Sequence, residues 1–208
     1  MSGSESKPVL LLISAPSGGG KTTVCEQLLS TASNLTRAVT CTTRPPRDGE
    51  REGVDYFFLD AGTFLKLVQA GHFIEHATVY GHSYGTLKSE LLGRLRQGQD
   101  VLLVVDVQGA ATIRQRADEE AALKEALVTV FLTPASIDVL EARLKKRGKD
   151  STAAIQRRLS VARQEIAQWR NFDYLVLSGS LSEDLRRMRV IYESEKLRQS
   201  RSPAPLSE

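Results

Sequence analysis

Four short runs of consecutive apolar residues punctuate the chain: VLLLIS (9–14), LLVVD (102–106), VTVFL (128–132) and YLVL (174–177). None alternates apolar with polar, which is the pattern of a strand buried on both faces rather than of one wetted on one side. The segments between them carry helical spacing. A helix is expected over about 22–30 and another after the second run. A third opens at Pro134 and Ser136 and runs through SIDVLEARLKKR, with Ser136 as N-cap and Lys145, Lys146 and Arg147 suiting its C-terminus. A last helix is expected to start at Ser182, with Glu183 and Asp184 in its first turn. Buried strands alternating with amphipathic helices predict an α/β fold: a parallel sheet flanked by helices.

The stretch from about 36 to 86 breaks this rhythm. It is rich in Thr, Tyr, Phe, Gly and Arg; its clear helix is FLKLVQA (64–70), and YFFL (56–59) and HFIEHATV (72–79) read as short strands. It predicts a small β-rich lobe inserted in the α/β body. Residues 1–8 and 198–208 are polar, with Ser, Pro and charge, and read as disordered tails around a domain spanning 9–197.

Composition narrows the partners. A formal charge of +3 across 208 residues is too small to indicate nucleic-acid binding. No apolar run is long enough for a membrane span or a secretory signal. Cys25 and Cys41, the only two cysteines, have neither metal-ligand nor redox spacing. They argue against a disulfide scaffold and for a reducing, cytoplasmic setting.

The turn after the first apolar run reads Ala15-Pro16-Ser17-Gly18-Gly19-Gly20-Lys21-Thr22, followed by Thr23. This is a Walker A loop, G-x-x-x-x-G-K-[ST], with Ala15 in place of its first glycine. Glycines let the backbone curl until successive N–H groups point at phosphate oxygens, and the following helix adds its N-terminal partial charge. Lys21 brings a full charge to the terminal phosphates, and the Thr22 hydroxyl is a hard oxygen donor suited to Mg²⁺. A buried strand before the loop and a helix after it supply the context the pattern requires. The loop predicts nucleotide phosphate binding without naming the acceptor.

Downstream come Thr40-Cys41-Thr42-Thr43-Arg44-Pro45-Pro46-Arg47-Asp48-Gly49-Glu50, Asp55-Tyr56-Phe57, Phe73-Ile74-Glu75-His76-Ala77, Tyr84-Gly85-Thr86 and Asp106-Val107-Gln108-Gly109. Taken singly, these residues leave other readings open. Arg44 and Arg47 fit a solvated loop, Tyr56 and Tyr84 fit packing, and Glu75 fits an outward strand position. In this order and with the phosphate loop, the set resembles the guanylate kinases, over about residues 9–181.

The resemblance implies a P-loop NTPase core of five parallel strands, a lobe that binds GMP, and transfer of a phosphoryl group from MgATP to GMP directly, without a covalent intermediate. It implies that Arg44, Arg47, Tyr56 and Tyr84 hold the GMP phosphate, with Thr86 beside them, and that Glu75 and Thr40 read guanine. The chemistry is apt: guanine presents two adjacent donors that one carboxylate can accept, whereas adenine offers a lone pair there. Over about 143–160 it implies a lid, with Arg143, Arg147 and Arg158 neutralising the transferring phosphoryl group. Lys145, Lys146 and Arg157 fit a solvated basic face instead. Asp106 either orders magnesium-bound waters or closes its strand.

The chain departs from the family pattern at three places. Val104 stands where an acidic residue is usual, Ser178 where an asparagine near the adenine is common, and His82-Ser83 precede Tyr84. Another phosphorylated acceptor, or a non-catalytic module of the same fold, are the competing readings. The intact Lys21 and Thr22 weigh against the module.

Overall fold

The computed structural model describes residues 6–79, 81–146 and 151–202. In chain order its elements are β1 (Leu10–Ser14), α1 (Lys21–Thr31), β2 (Leu35–Arg37), β3 (Thr40–Thr42), β4 (Tyr56–Phe58), α2 (Ala61–Gln69), β5 (Phe73–Val79), β6 (His82–Leu87) and α3 (Lys88–Arg96). They continue with β7 (Asp100–Val104), α4 (Val107–Ala117), α5 (Ala121–Ala126), β8 (Leu127–Pro134), α6 (Ile137–Lys146), α7 (Thr152–Ile166), β9 (Tyr174–Ser178) and α8 (Leu181–Lys196).

Five strands form a parallel sheet in the order β2-β7-β1-β8-β9. The unbroken apolar run of β1 has a direct cause: it lies at the centre and its side chains alternate between two cores. Leu11 and Ile13 pack with Val24 and Leu28 of α1 and with Met188 and Tyr192 of α8. Leu10 and Leu12 pack on the other face with Leu91, Ile113, Leu123 and Phe131. All four are fully buried, and each contributes about 1.5–3 kcal/mol by leaving water. The α/β class and the P-loop NTPase architecture expected from the sequence are the ones observed.

The fifth strand, β2, is three residues long and only Leu35 is buried, so no apolar run announces it. Thr36 and Arg37 pair with Val101 and Leu102. They therefore sit in the large sheet, at the start of the stretch assigned above to the lobe.

A second sheet, ordered β4-β3-β6-β5, is mixed: β3 and β4 run parallel, and β6 is antiparallel to β3 and β5. Its small core is Cys41, Phe64 and Phe73, with Leu67 and Val68 from α2. The Phe64 and Phe73 rings stack 4.6 Å apart. Asp60 caps α2 by accepting from the Thr63 N–H. Helices α6 and α7 share a fourth cluster, Leu140, Leu144, Ile155, Leu159 and Ala162.

Two expectations need correction. Helix α8 is capped by Ser180, not Ser182. Ser180 and Glu183 form a reciprocal capping box, a serine followed three residues later by a glutamate. The C-terminal tail assigned to 198–208 is structured over its first five residues. Gln199–Arg201 forms a helical turn, and Arg201 is buried, donating to the carbonyls of Pro8 and Glu125 and to the Glu195 carboxylate. Lys7 donates its backbone N–H to the Arg201 carbonyl, so the two ends hold each other. Residues 1–5 and 203–208 lie outside the described residues. Among those described, no helix is long and apolar enough to cross a membrane.

Candidate functional site

The small sheet and the carboxyl end of the large one line a cavity of about 330 Å³. That volume lies in the range of small-molecule sites. One wall is the turn after β1. Gly18 and Gly20 have φ of 89° and 94°, a left-handed backbone that side chains with a Cβ resist. Gly20 ends this loop and caps α1, so the amides of Lys21, Thr22 and Thr23 begin the helix and point toward the cavity mouth. The alanine at position 15 fits for a local reason. A Cβ on Gly19 would lie 3.0 Å from the Ala15 methyl, so one methyl group is accommodated because its neighbour has none. Lys21 donates its ammonium group to the Ala15 carbonyl.

The opposite wall comes from the small sheet. Period-two geometry puts Glu75, Ala77 and Val79 of β5 on the cavity face. Register sets Thr40 beside Tyr56 and Glu75 beside Thr86. Tyr84 on β6 brings its ring to 6.2 Å from that of Tyr56, and Arg47 closes the rim. Glu75 is 4% exposed and accepts a 2.6 Å hydrogen bond from the Thr86 hydroxyl. Burial is the main cause that pushes its carboxyl up to about 7. The negative charge of Asp106 adds to this, and the Thr86 hydrogen bond opposes it. Gly109 of α4 comes so close that a Cβ there would stand 2.8 Å from a Glu75 oxygen.

The structure thus brings together on one cavity Pro16 to Thr23, Thr40, Arg47, Tyr56, Glu75, Tyr84, Asp106 and Arg158. Four expected residues are not part of the cavity lining. Ala15 is buried under the loop. Thr86 reaches the site through Glu75. Arg44 is 8% exposed, bonded to Glu50 at 2.9 Å and to the Pro45 carbonyl, with its guanidinium 5.3 Å from the Tyr56 ring centre. Arg143 lies on α6 and donates to the Ser178 hydroxyl. Arg147 lies outside the described residues.

Asp106 resolves into a structural role first. It is the N-cap of α4, accepting from the Gly109 N–H at 2.8 Å, while also lining the cavity between Val105 and the phosphate loop. Among the described residues no cluster of three or more His, Cys, Asp or Glu could hold a metal. The donor set is a hydroxyl, Thr22, and one carboxylate, Asp106. This fits magnesium, which is commonly held by one or two protein oxygens together with substrate phosphates and waters.

Glu165 was not anticipated. It lines the cavity from α7, two helical turns after Arg158 and on the same face. Its carboxylate accepts from the Ser17 N–H of the phosphate loop at 3.3 Å. Burial raises its pKa, and Lys21 opposes the rise. The seven-residue spacing from an arginine was the only signal available. Both cysteines are buried and unbridged, their thiols pushed up to about 12 by burial, and so are inert.

Against this geometry, a family model described as guanylate kinase matches residues 6–195. A guanylate kinase of Coxiella burnetii is 41% identical over 201 residues, covering 97% of this chain and 94% of its own length. One of Nitrosomonas europaea is 42% identical, covering 91% and 90%. The crystal structure of guanylate kinase from Anaplasma phagocytophilum superposes with a TM-score of 0.76 at 32% identity, covering 95% of this chain and 90% of that one.

Proposed function

The chain belongs to the guanylate kinase family, and from that premise we propose that it passes the γ-phosphoryl group of MgATP directly to GMP, giving ADP and GDP. The observation that carries this reading is the two-walled cavity. A phosphate-binding loop faces a buried carboxylate flanked by tyrosines and an arginine. Each wall suits one nucleotide, and the cleft between them suits in-line transfer.

The loop amides and Lys21 take the donor's β and γ phosphates. Thr22, with Asp106 through water, would hold Mg²⁺, which would supply positive charge to offset that of the phosphates. Glu75 accepts both guanine donors, and Thr40, which lines the same cavity, adds its hydroxyl. Arg47, Tyr56 and Tyr84 hold the acceptor phosphate. Arg44, stacked on Tyr56, keeps that ring in place and adds charge from behind. Arg158 and Arg143 stabilise the equatorial oxygens as they gain charge, and closure over them excludes water that would otherwise hydrolyse the donor. Arg147 is assigned to the same lid by family resemblance alone. The inert, unbridged cysteines support a cytoplasmic setting, and the reaction would serve purine nucleotide metabolism.

An acceptor panel tests the reading. The purified protein with MgATP should turn over GMP far faster than AMP, UMP or no acceptor. Glu75→Gln should lower kcat/KM for GMP about a hundredfold while leaving ATP affinity nearly unchanged. Equal turnover of AMP and GMP, or an equal loss of both substrates in Glu75→Gln, would overturn it.

A further inference from the structure

Ser178 ends β9 at the carboxyl end of the large sheet, the same end from which the phosphate loop emerges. Helix α6 lies over that loop: Leu140 and Leu144 would contact a Cβ placed on Gly18 at 3.0–3.1 Å. Arg143 of the same helix sits with one guanidinium nitrogen 3.7 Å from the place of a Cβ on Gly20. Its guanidinium therefore hangs beside the phosphate loop.

Among the described residues, what holds it there is a single hydroxyl. Both terminal nitrogens of Arg143 donate to the Ser178 oxygen, at 3.2 and 3.1 Å. Ser178 in turn donates to the Asp184 carboxylate at 2.6 Å, and the second Asp184 oxygen accepts from the Gly179 N–H at 3.0 Å. Ser178 and Asp184 are both buried, at 8% and 3% exposure.

A serine hydroxyl has one proton and two lone pairs. Here the proton goes to Asp184 and both lone pairs face Arg143, so the hydroxyl is saturated. Asp184 fixes the direction of the proton. Without it the O–H could turn toward the guanidinium, where it would repel. The arrangement has a second consequence. Asp184 acts on Arg143 only through the hydroxyl, so among the described residues no direct ion pair neutralises the guanidinium. A direct carboxylate–arginine pair would have to break before the arginine met a phosphate. A hydroxyl-mediated tether orients the cation and leaves its charge available.

We propose that Ser178 and Asp184 are positioning residues that aim Arg143 at the donor phosphates, with Asp184 acting through the serine hydroxyl. The proposal rests on the phosphoryl-transfer reading of the cavity and on Arg143 belonging to it.

The test is a double-mutant comparison in the full chain with GMP and MgATP. Arg143→Ala should show a large loss in kcat/KM for ATP. Ser178→Ala and Asp184→Asn should each lower kcat/KM for ATP about tenfold and leave KM for GMP unchanged, and Ser178→Thr, which keeps the hydroxyl, should stay near the parent value. In the Arg143→Ala background neither substitution should cost anything more, because positioning acts only through the group positioned. Thermal melts of every variant separate misfolding from mispositioning. Ser178→Ala or Asp184→Asn costing as much with Arg143 absent as present, or nothing in the parent, would overturn the relay alone. An Arg143→Ala protein as active as the parent would remove Arg143 from the catalytic reading and the relay with it. A parent with no GMP-dependent turnover would sink the functional reading itself.

Discussion

Glu75 shows how one side chain trades stability for recognition. Its folded carboxyl titrates near 7, above its ordinary 4.5, chiefly because it is buried. Guanine's two N–H donors need the ionised form. Lowering the pH through 7 should therefore depress kcat/KM for GMP, approaching tenfold per unit in the acid limit, with no such inflection in ATP affinity; a pH–rate profile of the free enzyme reads this directly. The sign for folding is opposite. The unfolded chain releases this proton near 4.5 and the folded chain holds it to about 7. The favourable contribution is thus whole below 4.5 and is lost as pH rises through 7. Glu75→Gln should therefore be the more stable protein at pH 8, by up to about 3 kcal/mol in urea denaturation, while failing with GMP. Gly109 guards the same carboxylate. An added methyl would meet its oxygen at 2.8 Å, so Gly109→Ala should displace Glu75 and lower kcat/KM for GMP about tenfold, with ATP affinity retained. The glycine of the DVQG segment is then explained by what it lets approach.

At the scale of elements, legibility followed how local each cause was. The phosphate loop could be read because strand, turn and helix are consecutive and each residue acts through its own backbone. The cap of α8 was legible but misread: Ser180 precedes the helix while Ser182 is already its second residue, and only Ser180 has a glutamate three positions on. Strand β2 was illegible because its three residues gain their place by pairing with β7, not by burying an apolar face. Glu165 and the Arg201 turn were hidden for a related reason. Each is a charged residue whose partner lies far away in sequence or is a backbone carbonyl, and hydropathy gives no sign of either. Asp100 is the clearest such case. At the start of β7 it is 2% exposed and accepts from the Val9 N–H, the Tyr192 hydroxyl at 2.6 Å and the Lys196 ammonium at 3.0 Å. It joins the central strand, its neighbour and α8 in one network. Asp100→Ala leaves a buried hydroxyl and an amide without their acceptor, so it should cost about 3 kcal/mol of unfolding free energy while barely changing the KM for either nucleotide. Equilibrium denaturation beside steady-state kinetics would show that separation.

At the scale of the whole molecule, the cavity has no single owner. The phosphate loop belongs to the large sheet, Glu75 and the tyrosines to the small one, and Arg158 and Glu165 to the α6–α7 pair with its own apolar cluster. Three bodies meet at one site, joined in part by apolar contacts such as Ile74 of β5 in the large sheet's core, and a nucleotide bound there ties them together further. A ligand that binds only the folded state stabilises it by about 2.7 kcal/mol at a hundred times its Kd, which for a chain of this length raises the melting temperature by roughly 5–10 °C. GMP and a non-hydrolysable ATP analogue should each give such a shift. Because both order the same cleft, each should also tighten the other's Kd by the same factor, as linkage requires. Glu75→Gln separates the walls: it should abolish most of the shift from GMP and leave that from the ATP analogue intact. A melt in which the substitution removed both shifts equally would mean the carboxylate serves the scaffold rather than the guanine wall.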